Sequence, residues 1–158
     1  MEASEPRLEH LFDVHIDLDT PQIVGPTPSG MRQIFPARSG TAEGPRIKGE
    51  VLPGGGDWAL VRSDGAIQID VRATVRTEDG ALIYVTYGGL IVAEPDLFGR
   101  LLRGEDVPLN EYYFYTNPMF QTGAPQYAWL NKLIGLGRGK VVPGGVEYRI
   151  WAVTQASE

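Results

Sequence analysis

The segment AIQIDVRATVRTEDGALIYVTYGGLIV, residues 66–92, decides the fold class, because its apolar residues recur at every second position. In its first half the apolar residues that alternate with polar ones are Ile67, Ile69, Val71, Ala73 and Val75. A period of two predicts a β-strand with one apolar face. Residues 77–80 then predict a turn with Gly80 in a left-handed conformation, and residues 82–87 predict the returning strand. The segment is therefore predicted to form an antiparallel hairpin.

Similar patterns on either side of this hairpin extend the predicted sheet. LFDVHIDLD (residues 11–19) and VEYRIWAV (residues 146–153) alternate in the same way and predict a first and a closing strand. Shorter strands are predicted in RIKGEVL, DWALVR and EYYFYTN, and the pair Gly88 and Gly89 predicts a bulge or kink. Residues 20–45 are rich in proline and glycine, so we expect short extended pieces and turns there.

Signals for helices are few. In EPDLFGRLLRGED, Pro95 suits a first helical turn and four apolar residues form a stripe, which predicts a short helix over residues 95–102. YAWLNKLIG (residues 127–135) fits either a strand or a helix. Many short strands with one short helix predict an all-β sandwich or barrel. We expect one domain over residues 1–158, with flexible ends at residues 1–8 and 155–158.

The composition limits the partners and the chemistry. The net charge is −6, so nucleic acid is not an expected partner, because its binding requires a basic face. Cysteine is absent and only His10 and His15 could supply imidazole, so a metal site is not expected. No cofactor is expected either. The acidic N-terminus does not resemble a signal peptide, and no apolar run reaches membrane-spanning length. We therefore expect a cytoplasmic protein without a membrane partner.

Two glycine-rich segments resemble phosphate-binding loops only superficially. In GLGRGK (residues 135–140), the first glycine of a P-loop would fall on Ile134, and Val141 stands where serine or threonine is required. In VLPGGGDWALVRSDG (residues 51–65), the carboxylate of Asp57 would repel a phosphate. We expect the first segment to be a loop between strands and the glycines of the second to form a tight turn.

The polar face of the hairpin has two interpretations. Gln68, Asp70, Arg72, Thr74 and Arg76 either form a solvated outer surface or line a wet barrel interior. In both cases Asp70 and Arg72 share one face, because side chains two positions apart project to the same side of a strand. The aromatic residues likewise either line a ligand pocket or fill the core. They are Trp58, Tyr84, Tyr87, Tyr112, Tyr113, Phe114, Tyr115, Tyr127 and Trp129.

Four segments in order resemble the domain-of-unknown-function family three-two-three-seven: VGPTPSGMR, GPRIKGEVLPGGGDWALVRSDG, IDVRATVRTEDGALIYV and QYAWLNKL. The resemblance covers about residues 11–153 through the elements Gly-Gly-x-Asp-Trp, Asp-x-Arg, Thr-x-Asp-Gly and Trp-Leu-Asn. It implies a lipocalin-like antiparallel β-barrel, often paired with a copy of itself, and no agreed activity. The chain departs from the family pattern where Tyr115, rather than arginine, precedes Thr116. If that arginine anchors an anionic ligand in other members, this member binds a less charged one.

The family pattern also supplies the candidate site residues. It matches at Asp57, Trp58, Asp70, Arg72, Trp129 and Asn131, which we expect to meet around one barrel mouth. The candidate catalytic residues are Asp57, Asp70 and Arg72, with either carboxylate as general base. The candidate substrate-binding residues are Trp58, Tyr87, Tyr113, Trp129 and Asn131. Three of these, Tyr87, Tyr113 and Asn131, can donate a hydrogen bond to a substrate carbonyl.

Three functions are compatible with these residues. The first is a cofactor-independent enzyme, of isomerase, cyclase or lyase type, acting on an aromatic or polyketide-like carbonyl compound. The second is a carrier or sensor of a small hydrophobic molecule. The third is a structural domain whose barrel is filled by aromatic rings. We expect a small-molecule ligand and, from the resemblance, a homodimer.

Overall fold

The computed structural model describes residues 3–156, which form eleven β-strands, one α-helix and two 3-10 segments. The first six strands are β1 (Arg7–Leu18), β2 (Gln22–Thr27), β3 (Gly30–Glu43), β4 (Lys48–Val51), β5 (Gly56–Val61) and β6 (Ile67–Thr77). The others are β7 (Leu82–Val92), β8 (Tyr113–Thr116), β9 (Met119–Gln121), β10 (Gly135–Val142) and β11 (Gly145–Thr154). The helix α1 is Pro95–Leu102, and the 3-10 segments are Leu109–Glu111 and Pro125–Lys132.

The strands close into an antiparallel barrel. Around the barrel the order is β6, β5, β3, β1, β11, β10, β8 and β7, and β7 pairs again with β6. Closure leaves no open sheet edge along this circuit. β2 lies beside the first half of β3, β4 lies between β3 and β6, and β9 lies beside β7. The predicted all-β barrel is confirmed, and its short helix α1 has the expected bounds.

The hairpin predicted in residues 66–92 is formed by β6 and β7. Gly80 has φ of 88° in its turn, as expected. Buried and less buried positions alternate along β6, and the apolar set faces the interior. The polar set, which includes Asp70 and Arg72, lies on the outer face, so the interpretation as a wet interior is wrong. Pairing continues through Gly88 and Gly89 without a register shift, so the pairing with β6 contains no bulge.

A turn formed by the consecutive glycines separates β4 from β5, and both strands lie between β3 and β6. Residues 52–55 connect the two strands and stay bonded to their neighbours, since Leu52 N–H donates to Thr74 O and Gly55 O accepts from Ala37 N–H. Gly54 has φ of 105°, and a Cβ on Gly55 would lie 2.2 Å from the carbonyl oxygen of Arg72. The predicted tight turn is therefore present. Glycine is required because the backbone turns and then passes close to β6 before Asp57 enters the wall of the barrel.

Two segments differ from the prediction. β3 is a strand of 14 residues where short pieces were expected, since neighbouring strands on both sides satisfy its backbone. GLGRGK lies in β10 rather than in a connecting loop. Its glycines leave space for side chains of the preceding segment, and a Cβ on Gly139 would lie 2.6 Å from the ring of Phe114. Small residues are therefore needed on the inner side of β10.

The structure also describes parts of the chain ends and the segment, residues 127–135, that fitted either a strand or a helix. β1 begins at Arg7, inside the segment expected to be a flexible end, while residues 1–2 and 157–158 lie outside the described residues. The segment that fitted either strand or helix begins in the 3-10 segment Pro125–Lys132 and ends at the start of β10. No helix within residues 3–156 is both long and apolar enough to span a bilayer.

The two ends of the barrel are filled differently. Buried apolar side chains pack one end; they include Leu11, Phe12, Val75, Ile83, Phe120 and Leu130. The rings of Phe12 and Phe120 meet edge to face there, with centroids 6.0 Å apart. At the other end α1 packs through Leu97 and Leu101, and a cavity remains beneath it. The cavity therefore argues against the third function, a structural domain whose barrel is filled by aromatic rings.

Candidate functional site

The cavity has a volume of about 510 Å³ and is lined by inward-facing residues of strands around the whole barrel. Most of these are aliphatic or aromatic, such as Ile16, Ile69 and Phe114. α1 and the turn at residues 143–145 border the cavity. Cavities of this size and apolar character are typical of small-molecule sites.

Asp57 brings a carboxylate to this apolar wall. It is the second residue of β5, and the side chains of Asp57, Ala59 and Val61 line the cavity at alternate positions. Its Oδ1 accepts a hydrogen bond from the backbone N–H of Asp70 at 3.0 Å. The glycine turn before β5 is thus the local reason why a carboxylate enters the barrel wall here.

Burial raises the pKa of Asp57 to about 6, because the ionised carboxylate loses most of its hydration. The hydrogen bond from Asp70 N–H lowers this pKa, the negative charge of Asp70 raises it, and the positive charge of Arg32 lowers it. Burial is the largest of these effects. A carboxyl group that changes its charge near neutral pH inside a cavity is a candidate general base.

Two buried tyrosines lie in the same cavity wall. The rings of Tyr87 and Tyr148 meet edge to face with centroids 5.2 Å apart, and both line the cavity. Burial raises the pKa of each hydroxyl, so both remain protonated at neutral pH. Each hydroxyl also affects the other: Tyr148 lowers the pKa of Tyr87, and Tyr87 raises that of Tyr148. Tyr87 can therefore offer its own proton to a ligand oxygen.

Asp70, Arg72 and Trp58 occupy the outer side of the same wall. Arg72 contributes to the cavity lining, but its side chain is exposed and its guanidinium lies 5.4 Å from the centre of the Trp58 ring. Asp70 and Arg72 border a second, shallow depression of about 210 Å³ on the outside, together with Thr86 and Asn117. The expectation that Asp70 and Arg72 face a ligand inside the barrel is therefore wrong.

The remaining predicted site residues lie away from the cavity. The guanidinium of Arg46 lies 3.7 Å from the centre of the Trp129 ring. The side chain of Asn131 accepts a hydrogen bond from the backbone N–H of Thr122 and donates one to its carbonyl oxygen. The 3-10 segment that contains Trp129 and Asn131 is tied to the turn of the β6–β7 hairpin, at the packed end of the barrel. Tyr113 is exposed on the outer surface. The six motif residues therefore do not meet around one mouth.

Tyr148 was missed by the sequence prediction. A signal for it was present, because Val146, Tyr148 and Ile150 alternate in the closing strand and all three are buried. Among the predicted residues, the structure brings Asp57 and Tyr87 together in the cavity. Tyr148 completes a group of one carboxyl and two hydroxyls in an otherwise apolar wall.

The titratable residues of β1 and β11 form a separate cluster on the outer surface. His15 Nε2 lies 3.0 Å from Asp17 Oδ1, and His15 Nδ1 lies 3.2 Å from Glu147 Oε1. The hydrogen bond with Asp17 is the largest cause that raises the pKa of His15. Within residues 3–156, no three histidine, aspartate or glutamate side chains are grouped so as to hold a metal ion.

Comparison with known proteins gives similarities over most of the chain. A family described as "Protein of unknown function (DUF3237)" matches residues 6–153. A UPF0311 protein of Clostridium acetobutylicum is 33% identical over 151 residues, which covers 95% of this chain and 96% of that protein. The crystal structure of a conserved protein of unknown function from Rhodopseudomonas palustris has a TM-score of 0.90 at 29% identity, covering 96% of this chain and 99% of that chain.

Two fungal proteins are similar at lower identity. The PR-toxin biosynthesis cluster protein 7 of Penicillium roqueforti is 24% identical over 158 residues, covering 87% of this chain and 84% of that protein. The crystal structure of an enzyme from Penicillium herquei has a TM-score of 0.73 at 22% identity, covering 97% of this chain and 98% of that chain. The second similarity concerns the fold alone.

Proposed function

The chain belongs to the DUF3237 family, and we propose that its cavity is the active site of a cofactor-independent, cytoplasmic enzyme that performs acid–base chemistry on a small carbonyl compound. Asp57 carries the proposal, because its carboxyl group has a pKa of about 6 and faces an apolar cavity. Such a carboxylate is a stronger base than an ordinary one and is still largely ionised above pH 7.

In the proposed reaction, Asp57 removes a proton from the carbon next to the substrate carbonyl. The electron pair of that C–H bond moves into the new enolate, whose oxygen becomes negative. Tyr87 donates a hydrogen bond to this oxygen, and Tyr148 supports it by lowering the pKa of Tyr87. Return of the proton to another carbon gives isomerisation, attack of the enolate carbon on a second carbonyl gives cyclisation, and departure of a group from the β-carbon gives elimination.

The cavity lining supports a neutral substrate. Arg72 is the one basic residue in the lining of residues 3–156, and its side chain is exposed outside the barrel. Asp57 contributes a negative charge above pH 6. An anionic ligand would lose its hydration here without gaining a cationic partner. A neutral aromatic or polyketide-like carbonyl compound fits these conditions.

The fungal similarities support the same proposal. One of these proteins takes its name from a toxin biosynthesis cluster, and the other is described as an enzyme. The first description favours a role in secondary metabolism for a barrel of this kind, and the second favours a catalytic role. They do not specify the reaction, which we infer from the residues in the cavity.

The test is exchange of substrate protons with D₂O, followed by NMR at pH 7.5. The probes are neutral cyclic monoketones and aryl ketones that fit the cavity. We expect the wild-type protein to accelerate exchange at the carbon next to the carbonyl. Asp57→Asn should lower the rate by about 10²–10⁴-fold, the usual contribution of a positioned base.

Glu9→Gln is the matched control, because Glu9 is an exposed acid near the start of β1, outside the cavity lining. This variant should exchange protons at the wild-type rate. A thermal melt of each variant separates loss of the base from loss of the fold. Exchange by a folded Asp57→Asn protein at the wild-type rate would refute the assignment of Asp57 as base.

A carrier or sensor of a small hydrophobic molecule is the alternative, and the predominantly apolar lining favours it. A carrier would bind the same ketones and release them without exchange of protons. Saturable binding without exchange in the wild-type protein would therefore favour the carrier over the enzyme.

A further inference from the structure

The hydrogen-bond ladder between β5 and β6 is interrupted beside the cavity. The two strands are paired up to Asp57 and Val71, and they pair again from Leu60 and Gln68 in the same register. The two residues between these points on each strand do not pair across the interruption. A backbone N–H at such a position is free to bond an acceptor other than the neighbouring strand.

The side chain of Asp57 supplies that acceptor. Its Oδ1 takes the place of a backbone carbonyl and accepts the N–H of Asp70 at 3.0 Å. The backbone of β6 therefore holds the Asp57 carboxylate from within the barrel wall. The other lone pairs of this carboxylate remain available to a ligand in the cavity. The alternation of β6 places the Asp70 side chain on the outer surface, on the opposite side of the barrel wall from the cavity.

We propose that Asp70 is a positioning residue for Asp57, holding the Asp57 carboxylate through its backbone N–H and strengthening it as a base through its own negative charge outside the barrel. This role rests on the proposed function, in which Asp57 is the base. Asp70 touches no ligand in the cavity and acts only through Asp57.

The groups around Asp57 come from four other strands. Asp70 on β6 contributes the negative charge that raises the pKa of Asp57, and Arg32 on β3 contributes the positive charge that lowers it. Tyr87 on β7 and Tyr148 on β11 face the cavity as neutral hydroxyls. Arg72 on β6 is directed towards Trp58 on the outer surface.

The charge of Asp70 is not cancelled by an ion pair. None of the ion pairs formed within residues 3–156 includes Asp70. Its carboxylate is exposed on the outer surface, where it keeps its hydration. Asp70 thus places an unpaired negative charge on the outer side of the barrel wall, next to Asp57.

The experiment is a direct titration of the Asp57 carboxyl by NMR, with protein carrying ¹³C-labelled aspartate, between pH 4 and pH 8. Asp57→Asn identifies the signal. The midpoint should lie near the pKa of about 6 in the wild-type protein. In Asp70→Asn it should fall by about half a pH unit, because one repelling charge is removed across a partly hydrated wall while the backbone N–H remains.

Glu9→Gln is again the matched control, since it removes an equal charge far from the cavity, and its midpoint should equal that of the wild type. Salt provides a second measurement. Raising KCl from about 0.02 to about 0.5 M screens Arg32 in both proteins but Asp70 only in the wild type, so the wild-type midpoint should move towards that of Asp70→Asn. The same midpoint in wild type and folded Asp70→Asn, or a difference between them that salt does not reduce, would overturn the proposal.

The titration does not require turnover, so it separates this inference from the proposed function. If proton exchange is present, the acid limb of its pH profile should shift with the midpoint in Asp70→Asn. If the midpoint shifts and exchange is absent, the coupling across the wall stands and the enzymatic function fails.

Discussion

At the scale of single residues, ionisation of Asp57 opposes folding. An aspartate in an unfolded chain has a pKa of about 3.9, whereas Asp57 in the folded protein has a pKa of about 6. The folded state therefore binds the proton more tightly, and the free energy of unfolding falls as pH rises from about 4 to about 6. Two pH units correspond to a loss of about 3 kcal/mol.

Asp57→Asn should remove this loss, because the amide cannot ionise and its oxygen can still accept the N–H of Asp70. At pH 8 we expect the variant to be more stable than the wild type by about 1–3 kcal/mol, and at pH 4 we expect the two to be similar. Urea denaturation at both pH values measures the difference. An Asp57→Asn protein that is no more stable than wild type at pH 8 would show that burial does not penalise the charge.

At the scale of elements, β10 depends on glycine at its inward positions. An alanine at residue 139 would bring a methyl group 2.6 Å from ring atoms of Phe114, so this buried ring would have to shift towards the cavity that it lines. We expect Gly139→Ala to destabilise the protein by about 1–3 kcal/mol, as overpacking of a core usually does. Urea denaturation is the measurement.

Gly123→Ala is the control for the glycine substitution. A Cβ at residue 123 would meet no atom within 4 Å, and its backbone φ lies outside the left-handed region. Its stability should equal that of the wild type to within about 0.5 kcal/mol. Equal stability of both alanine variants would mean that the inner face of β10 has room for a larger side chain.

At the scale of the whole molecule, we propose a homodimer. The family resemblance implies one, and the outer surface carries a row of exposed apolar residues across neighbouring strands: Leu8, Val153, Ile134 and Met119. Contiguous apolar surface of this kind is often covered by a partner. We infer that a second copy of this chain covers it.

Light scattering at micromolar concentration should give twice the chain mass of 17.3 kDa. Ile134→Asp places a charge in the middle of the row and should shift the mass towards that of one chain. A wild-type mass of 17.3 kDa would refute the dimer, and an unchanged dimer in Ile134→Asp would place the interface elsewhere.

The fold was largely predictable because its signals are local. The period of two in β6, the glycine of the hairpin turn and the apolar stripe of α1 each depend on residues within a few positions of one another. Half of the candidate site was predictable for the same reason, since Asp57 follows a glycine turn and Tyr87 belongs to an alternating strand.

The other half depended on contacts between distant parts of the chain. Periodicity indicates that β6 has two different faces, but the closure of the sheet decides that Asp70 and Arg72 lie outside and that Asp57, on the neighbouring strand, lies inside. The requirement for glycine at position 139 of β10 arises only from its contact with Phe114, 25 positions earlier in the chain. The pKa of Asp57 likewise follows from burial and from the interrupted ladder with β6, which no local pattern encodes. The sequence alone therefore determined the β6–β7 hairpin, the first and last strands and the helix α1. The tertiary structure decided the extent of β3, the place of β10 and which side chains share the cavity, because burial and proximity arise only when distant strands pair.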